Sequence, residues 1–346
     1  MPKLYTFSSL ELAKCTLYIF GASSFGILLH KLLSSYNLEI KAFIDNDPTK
    51  QGSQICGKRV ITADRLRPLS NQLIIVASRY YVDICQQLSE LGFSENRDFI
   101  DAVFFAIEEQ YKLLAAAMGQ FKNKHNGERV FLIGNGPSLS IDDLNRLKNE
   151  TTFAANRIYL SYSETAWRPS YYCACDPLVT LYNREIIDRL PNSKFIANSS
   201  CFYGSTSSNT FVLPYTFRFS DKTTRQVGFS FDPLAGLFDG GSVIYMMLQI
   251  AVFMGFKQIY FLGLDHAFEI DEQDESELLI SKGEKNHFHQ NYRQAGESWS
   301  RPDLNFIQDS FEHAKLLLEP LGITLVNLSR RTRLDTFAKD DIENIV

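Results

Sequence analysis

The chain has 346 residues, 45% of them hydrophobic and 22% charged, with a formal net charge of -5 and a pI near 5.8. This is the balance of a soluble globular protein, and the length exceeds one ordinary core, so about two domains of roughly 100 to 200 residues each are expected. The acidic balance, with no basic run beyond the "RRTR" of Arg330, Arg331 and Arg333, excludes nucleic acid as an expected partner.

The first residues, "MPKLYTFSSLELAKC", lack an apolar signal core. The longest apolar run, Val243 to Phe256, is shorter than the ~18 residues that span a bilayer, so no transmembrane segment and a cytoplasmic location are expected. Six cysteines, at 15, 56, 85, 173, 175 and 201, form no CxxC pair and read as reduced thiols. In "YYCACDP" the alternation fits a buried strand better than a metal site at Cys173 and Cys175. No pattern specifies an oligomeric state.

In chain order, Thr16 to Phe20 reads as a strand, Gly21-Ala22-Ser23-Ser24-Phe25-Gly26 as a turn, and Leu28, Leu29, Leu32 and Leu33 as a helix face. The next strand, "IKAFID", ends in Asp45, nineteen residues after Gly26. A Rossmann acid reaches a ribose hydroxyl at about that spacing, although Ser23 stands where that fingerprint has its second glycine. Gly21, Ser23, Gly26 and Asp45 are therefore the candidate ligand site of this unit. A short hairpin, the buried strand "QLIIVAS" and an amphipathic helix ending at Gly92 complete a small doubly wound domain. Residues 16 to about 103, with "GASSFG" and "FIDNDP", resemble the nucleotide-sugar-associated Rossmann domains at the front of bacterial surface-polysaccharide enzymes, including sugar acetyltransferases.

Residues 104–125 read as a connecting helix rich in strong helix formers, and the polar "KNKHNGE" marks the boundary. The expected division is an N-terminal Rossmann-like domain at 1–103, a helix and linker at 104–128, and a nucleotide-binding domain at 129–346. The fold class is α/β, with two Rossmann-like doubly wound domains and mainly parallel sheets.

The second unit opens on "RVFLIGNGPSLS". Its glycines permit positive φ and close backbone approach, and Pro137 suits a helix start whose free amides face a phosphate; a plain tight turn is the alternative. Asn156, Asp176 and Asp265 end later strands, and polar groups at the carboxyl ends of parallel strands are where an open α/β sheet builds its crevice. Gly240-Gly241-Ser242 precede a helix apolar almost all round, so Ser242 is a cap, an anion contact, or both.

The stretch Glu269 to Glu277 holds six acids within a polar segment that is either a lid or a solvated loop. In "NHFHQNY", His287 and His289 alternate around Phe288 and face one side if the segment is extended. His287 is the first choice for a general base and His289 the second, since an imidazole titrates in the right range. His30 and His313 read as structural, His125 as a linker residue, and Arg330, Arg331 and Arg333 as solvated, with contact to an anionic acceptor as the alternative. A core-facing helix then runs through Leu304, Ile307, Phe311, Ala314 and Leu318 into the strand "ITLVNLS".

The order "GNGPSL", Asn after "FAA", "GGSVIYMMLQIAVFMGFKQIYFLGLD" and "NHF" resembles the bacterial sialyltransferase-like fold shared with motility accessory factors and the 6-hydroxymethylpterin diphosphokinase-like family. For the sialyltransferases the resemblance implies that Gly134, Asn135, Gly136, Ser138 and Asn156 contact the CMP part of a CMP-sugar. It further places Ser242 near donor phosphate and sugar and gives a histidine of "NHFHQNY" the acceptor's proton. Pro137, Asp176, Gly241 and Asp265 complete the nucleotide site by position.

Two departures stand out. No tyrosine follows the "GLD" strand to hold the leaving phosphate, so His266, Tyr292 or Arg293 is expected to substitute. The His-Ala-His-Gly-Asp-Asn run of the pterin enzymes is also absent. The favoured expectation is a glycosyltransferase of surface-glycan assembly, taking a CMP-activated nonulosonic acid as donor and a glycan as acceptor, with no firm cofactor. A diphosphokinase that uses ATP and Mg²⁺, and a nucleotide-binding protein without catalysis, are the alternatives.

Overall fold

The computed structural model describes residues 5–78, 80–197, 208–216, 227–270, 274, 276 and 278–346. A short strand β1 (Tyr5–Phe7) and helix α1 (Ser9–Leu12) lead into β2 (Thr16–Phe20), α2 (Ser24–Ser35) and β3 (Ile40–Ile44). The hairpin β4 (Gln54–Ile55) and β5 (Lys58–Ile61), then β6 (Gln72–Val76), α3 (Tyr81–Glu90) and β7 (Phe99–Asp101), complete a six-stranded sheet in the order β4-β5-β3-β2-β6-β7. Only the hairpin is antiparallel, and its Cys56-Gly57 turn has positive φ at both residues, the twist a two-residue hairpin needs. Strands β2, β3 and β6 are almost wholly buried, which explains their unbroken apolar runs.

The segment expected as one helix over 104–125 divides. Phe105–Ile107 form strand β8, paired in parallel with β1, and helix α4 covers only Glu108–Gly119. Helix propensity gives way because Phe105 and Ile107 are buried in the core of the first sheet. His125 is no loose linker residue either: its ring stacks on Phe256 at 4.5 Å and bonds the Tyr171 hydroxyl at 2.8 Å.

The second unit begins with β9 (Arg129–Ile133), α5 (Ile141–Arg146), β10 (Thr152–Ala155), β11 (Tyr171–Ala174), α6 (Pro177–Tyr182), α7 (Arg184–Arg189), β12 (Ser193–Ala197) and β13 (Thr210–Leu213). A short parallel pair, β14 (Tyr215–Thr216) and β15 (Leu237–Phe238), precedes α8 (Val243–Phe253) and β16 (Gln258–Leu262). The hairpin β17 (Leu278–Ile280) and β18 (Ser298–Ser300), then α9 (Leu304–Leu318), β19 (Thr324–Asn327) and β20 (Ala338–Lys339), close the chain. Eight strands form one sheet in the order β13-β12-β11-β10-β9-β16-β19-β20, and its pairings are parallel. The fold is α/β with mainly parallel, Rossmann-like sheets.

From β9 the chain winds outward through β10 to β13, then returns to β16 and winds the other way. Such a reversal leaves a crevice at the carboxyl ends of the two strands where the direction changes. Helix α8 is buried all round, held between the sheet and α9 by Met246, Met247, Leu248, Ile250 and Phe311 in one continuous core. Its buried Gln249 is satisfied by Ser230, Phe238 and Tyr245 backbone groups at 2.9–3.2 Å, tying the preceding segment to the helix.

Candidate functional site

The crevice is floored by the turn after β9. The Gly134 N–H donates to the Leu262 carbonyl at 2.7 Å and the Gly136 N–H to the Gly263 carbonyl at 3.0 Å. A Cβ on Gly134 would lie 2.4 Å from the Gly263 oxygen, and one on Gly136 2.7 Å from that oxygen and 2.7 Å from Asp265 Oδ2. Neither glycine takes a positive φ. Both are required by the close approach of the β16 loop.

No helix starts at Pro137, contrary to expectation. Helix α5 begins at Ile141, behind a capping box of Ser140 and Asp143. The Ser138 N–H donates to Asp265 at 2.7 Å and its hydroxyl donates to the other oxygen of that carboxylate. An internal carboxylate thus occupies the amide expected to face a phosphate. Burial raises the Asp265 carboxyl above its usual range, opposed by the Ser138 bonds and the Arg331 charge. Asn327 Nδ2 donates to the Leu264 carbonyl at 3.3 Å and the Leu264 N–H to Ser329 Oγ at 2.8 Å, so the end of β19 braces this loop.

Two asparagines flank the turn. Asn135 Nδ2 donates to the Ala155 carbonyl at 3.0 Å, which leaves Oδ1 buried without a partner. Asn156 sits in the left-handed region at φ 53°, and its Oδ1 is likewise buried and unpartnered. An unsatisfied buried acceptor costs about 1–3 kcal/mol, and strained backbone clusters where a ligand is held. His266 repeats the pattern, with φ 51°, an unpartnered Nδ1 and a pKa lowered by burial.

Over this floor lies the loop that carries the histidines. The Phe288 N–H donates to the Asn135 carbonyl at 2.9 Å and pins the loop to the turn. The backbone bends here instead of extending, so the two imidazoles part. His287 stacks face to face on Tyr292 at 3.7 Å with 6° between the rings. His289 turns to Glu164, 3.4 Å from Nε2, while its Nδ1 accepts the Asn291 N–H at 3.1 Å. Burial, then the charges of Arg293 and Arg157, push His287 down to about 3, well below the range expected of a general base.

Two cations stand beside this loop: Arg293, expected from the sequence as a candidate for a leaving phosphate, and Arg157, which the sequence did not single out. The Arg157 guanidinium donates to the Tyr292 carbonyl and pairs with Glu297 at 2.9 Å. Arg293 lies 4.3 Å over Trp299 and 3.6 Å from Glu284, with Nη1 buried and making no hydrogen bond. Asp176 caps α6 through the Leu178 N–H at 2.8 Å; burial raises its carboxyl, countered by backbone bonds to Leu178 and Val179 and by the charges of Arg293 and Arg157. The one available signal for Arg157 was its place directly after Asn156 at a strand end.

Other candidates lie in structural roles. Ser242 Oγ accepts the Ile244 N–H at 3.3 Å as the cap of α8. A Cβ on Gly241 would fall 2.7 Å from Ile307, so that glycine lets α9 pack. Arg330, expected to be solvated, grips the fully buried Asp143 with two bonds of 2.7 Å. The acidic stretch 269–277 lies partly outside the described residues, as does Cys201. Among the described residues no group of three or more His, Cys, Asp or Glu is placed to hold a metal, and no helix is long and apolar enough to cross a membrane.

In the first unit, a Cβ on Gly21 would lie 2.3 Å from the Ala77 carbonyl oxygen, and one on Gly26 1.9 Å from that of Gly21. Asp45 Oδ2 accepts the Ala22 N–H at 2.7 Å, Oδ1 accepts the Asp47 N–H at 2.9 Å, and Lys50 approaches to 3.3 Å. The acid expected to meet a ribose therefore holds its own glycine turn. Ser23 is the N-cap of α2 without a side-chain cap bond.

The turn after β9, the buried α8 and the β16 strand fall within one family match. Residues 106–271 match the 6-hydroxymethylpterin diphosphokinase MptE-like family. The MptE-like segment thus contains the glycine turn, Asn156, Asp176, Ser242 and Asp265, while His287 and His289 lie beyond it. Residues 13–99 match the C2185-like N-terminal family. Among solved structures, MAf glycosyltransferase from Magnetospirillum magneticum AMB-1 is similar at 12% identity and a TM-score of 0.37, over 94% of this chain and 57% of that one. This chain spans 57% of the length of that protein. No curated protein matches the sequence.

Proposed function

We propose that the chain is a nucleotide-dependent transferase, and that its reaction is transfer of a CMP-activated nonulosonic acid to a glycan acceptor in surface-glycan assembly. The observation that carries this reading is the pair of orphaned amide oxygens on Asn135 and Asn156, which a base presenting N–H donors, such as the exocyclic amine of cytosine, would satisfy. Asn135 lies at the reversal point of the sheet and Asn156 at the end of the adjacent β10, beside a loop that bears an imidazole. On this reading Gly134, Gly136, Pro137 and Ser138 shape the nucleotide pocket with Asp265, and Gly241 and Ser242 border the donor sugar.

In the reaction the acceptor hydroxyl attacks the anomeric carbon, the bond to the CMP phosphate breaks, and the hydroxyl proton passes to His287. Its low pKa keeps the imidazole neutral at physiological pH and so open to a proton. His289, whose Nδ1 accepts the Asn291 N–H and whose Nε2 lies 3.4 Å from Glu164, positions the loop.

A thermal-shift titration with CMP, CDP, UDP, ATP and NAD, each with and without Mg²⁺, tests the reading, because a ligand of the folded state raises its melting temperature. A metal-independent shift with CMP that is lost in Asn156→Ala is expected. The MptE-like match favours a second reading, pyrophosphoryl transfer from ATP to a pterin-like alcohol, for which the shift would require ATP and Mg²⁺ together. A shift with CMP and no turnover of any CMP-sugar would leave a nucleotide-binding protein.

A further inference from the structure

We propose that Arg157, Arg293 and the Tyr159 hydroxyl form the subsite for the donor's phosphate, on the histidine-loop side of the crevice instead of on the glycine turn. The inference rests on the nucleotide reading above and deepens it. The first ground is exclusion: the Gly134, Gly136 and Ser138 amides are engaged by Leu262, Gly263 and Asp265. Pro137 has no N–H to give, and Ser242 caps its own helix.

The second ground is a set of unused donors. Arg293 Nη1 is buried without a hydrogen bond, and so is the Tyr159 hydroxyl, which lies within reach of the Arg157 and Glu297 charges. Two guanidinium groups and a phenol, drawn from the turn after β10 and from the histidine loop, match the donor set that an anionic phosphate takes. Glu297 and Glu284 hold the two arginines, and the 3.6 Å gap at Glu284 is the weaker hold. Asp176 stands against both cations as the cap of α6.

The site has a consequence for the base. His287 stacks on Tyr292 at 3.7 Å and feels the charges of Arg293 and Arg157; Glu284 and Glu297 pair with those arginines, and the Asp176 carboxylate acts on both. Burial and the two cations disfavour its protonated form. A phosphate bound between the arginines offsets their charge and raises the imidazole's basicity, so donor binding makes His287 a stronger proton acceptor.

Calorimetry of CMP and cytidine on the full chain tests the subsite. In Arg157→Gln and Arg293→Gln the CMP affinity falls roughly 10- to 100-fold while cytidine is unchanged, and Arg157→Lys, which keeps the charge and tests tolerance of the site, recovers part of the loss. Equal weakening of CMP and cytidine, or an unchanged ratio, overturns the proposal. A second readout is independent of the cytidine reading: the pH midpoint of the His287 ring resonance, assigned with His287→Gln, measured with and without inorganic pyrophosphate. A midpoint that rises with pyrophosphate in the wild type and not in the arginine variants supports the subsite even if no cytidine compound binds. A midpoint that pyrophosphate leaves in place overturns it.

Discussion

His287 is a titratable group held neutral by its surroundings, and that has a sign. Its pKa falls from the ordinary 6.5 of the unfolded chain to about 3 in the fold, so between those values the unfolded state binds more protons. The stability it contributes is complete above pH 6.5 and is lost as the pH falls toward 3. Urea unfolding at pH 7 and pH 4.5 should show a drop that His287→Gln reduces; an equal drop in the variant would refute the burial argument. Asn156 argues at the same scale. Its left-handed φ is open to glycine at no steric cost, so Asn156→Gly is expected to hold or raise the melting temperature while abolishing the CMP shift. A variant that melts lower and still binds CMP would show the asparagine to be a backbone device.

At the scale of elements, the β9 and β16 loops are locked together by glycine. Gly136→Ala places a methyl 2.7 Å from both the Gly263 oxygen and the Asp265 carboxylate, and such overpacking costs about 1–3 kcal/mol. A loss of that size in chemical denaturation, with CMP binding weakened because Asp265 is displaced, is the expected result. Several elements were legible in the sequence: the buried strands from their unbroken apolar runs, α8 from its apolar circumference, and α9 from its three-to-four spacing. The helix at Pro137 was not, because proline only permits a helix start, and the Ser140 and Asp143 capping box three residues on settled where it begins. Strand β8 was hidden for a related reason: "FAI" reads as a helix or a strand until β1 supplies a pairing partner.

Across the whole molecule, two parallel sheets carry two glycine turns with different neighbours. The first turn is closed by Asp45, the second by Asp265, each carboxylate accepting a backbone N–H at 2.7 Å. The units touch where Leu28 of α2 packs against the second core, and the connecting helix α4 is tied to the first unit where Glu109 accepts from Ser9 at 2.8 Å. The Asp45 carboxylate lies in the first unit, so Asp45→Ala should lower stability by about 1–2 kcal/mol through the lost backbone bonds and leave CMP affinity as it was. A fall in CMP affinity would instead make the first turn part of the nucleotide site.

The sequence by itself determined the class of fold and pointed to the sheet edge that carries the candidate site, since apolar periodicity, glycine turns and polar strand ends are local properties. It also named Asn135, Asn156, Asp265 and His287, because each stands at the end of a strand or beside an unusual run. The pairing of those residues was decided only by tertiary structure: Asp265 across the glycine turn, His287 on Tyr292 and away from His289, and Arg157 and Arg293 brought together from positions 136 residues apart. Burial and charge proximity depend on which distant segments meet. For that reason the basicity of His287 and the destination of the Gly134, Gly136 and Ser138 amides could be read only once the chain was folded.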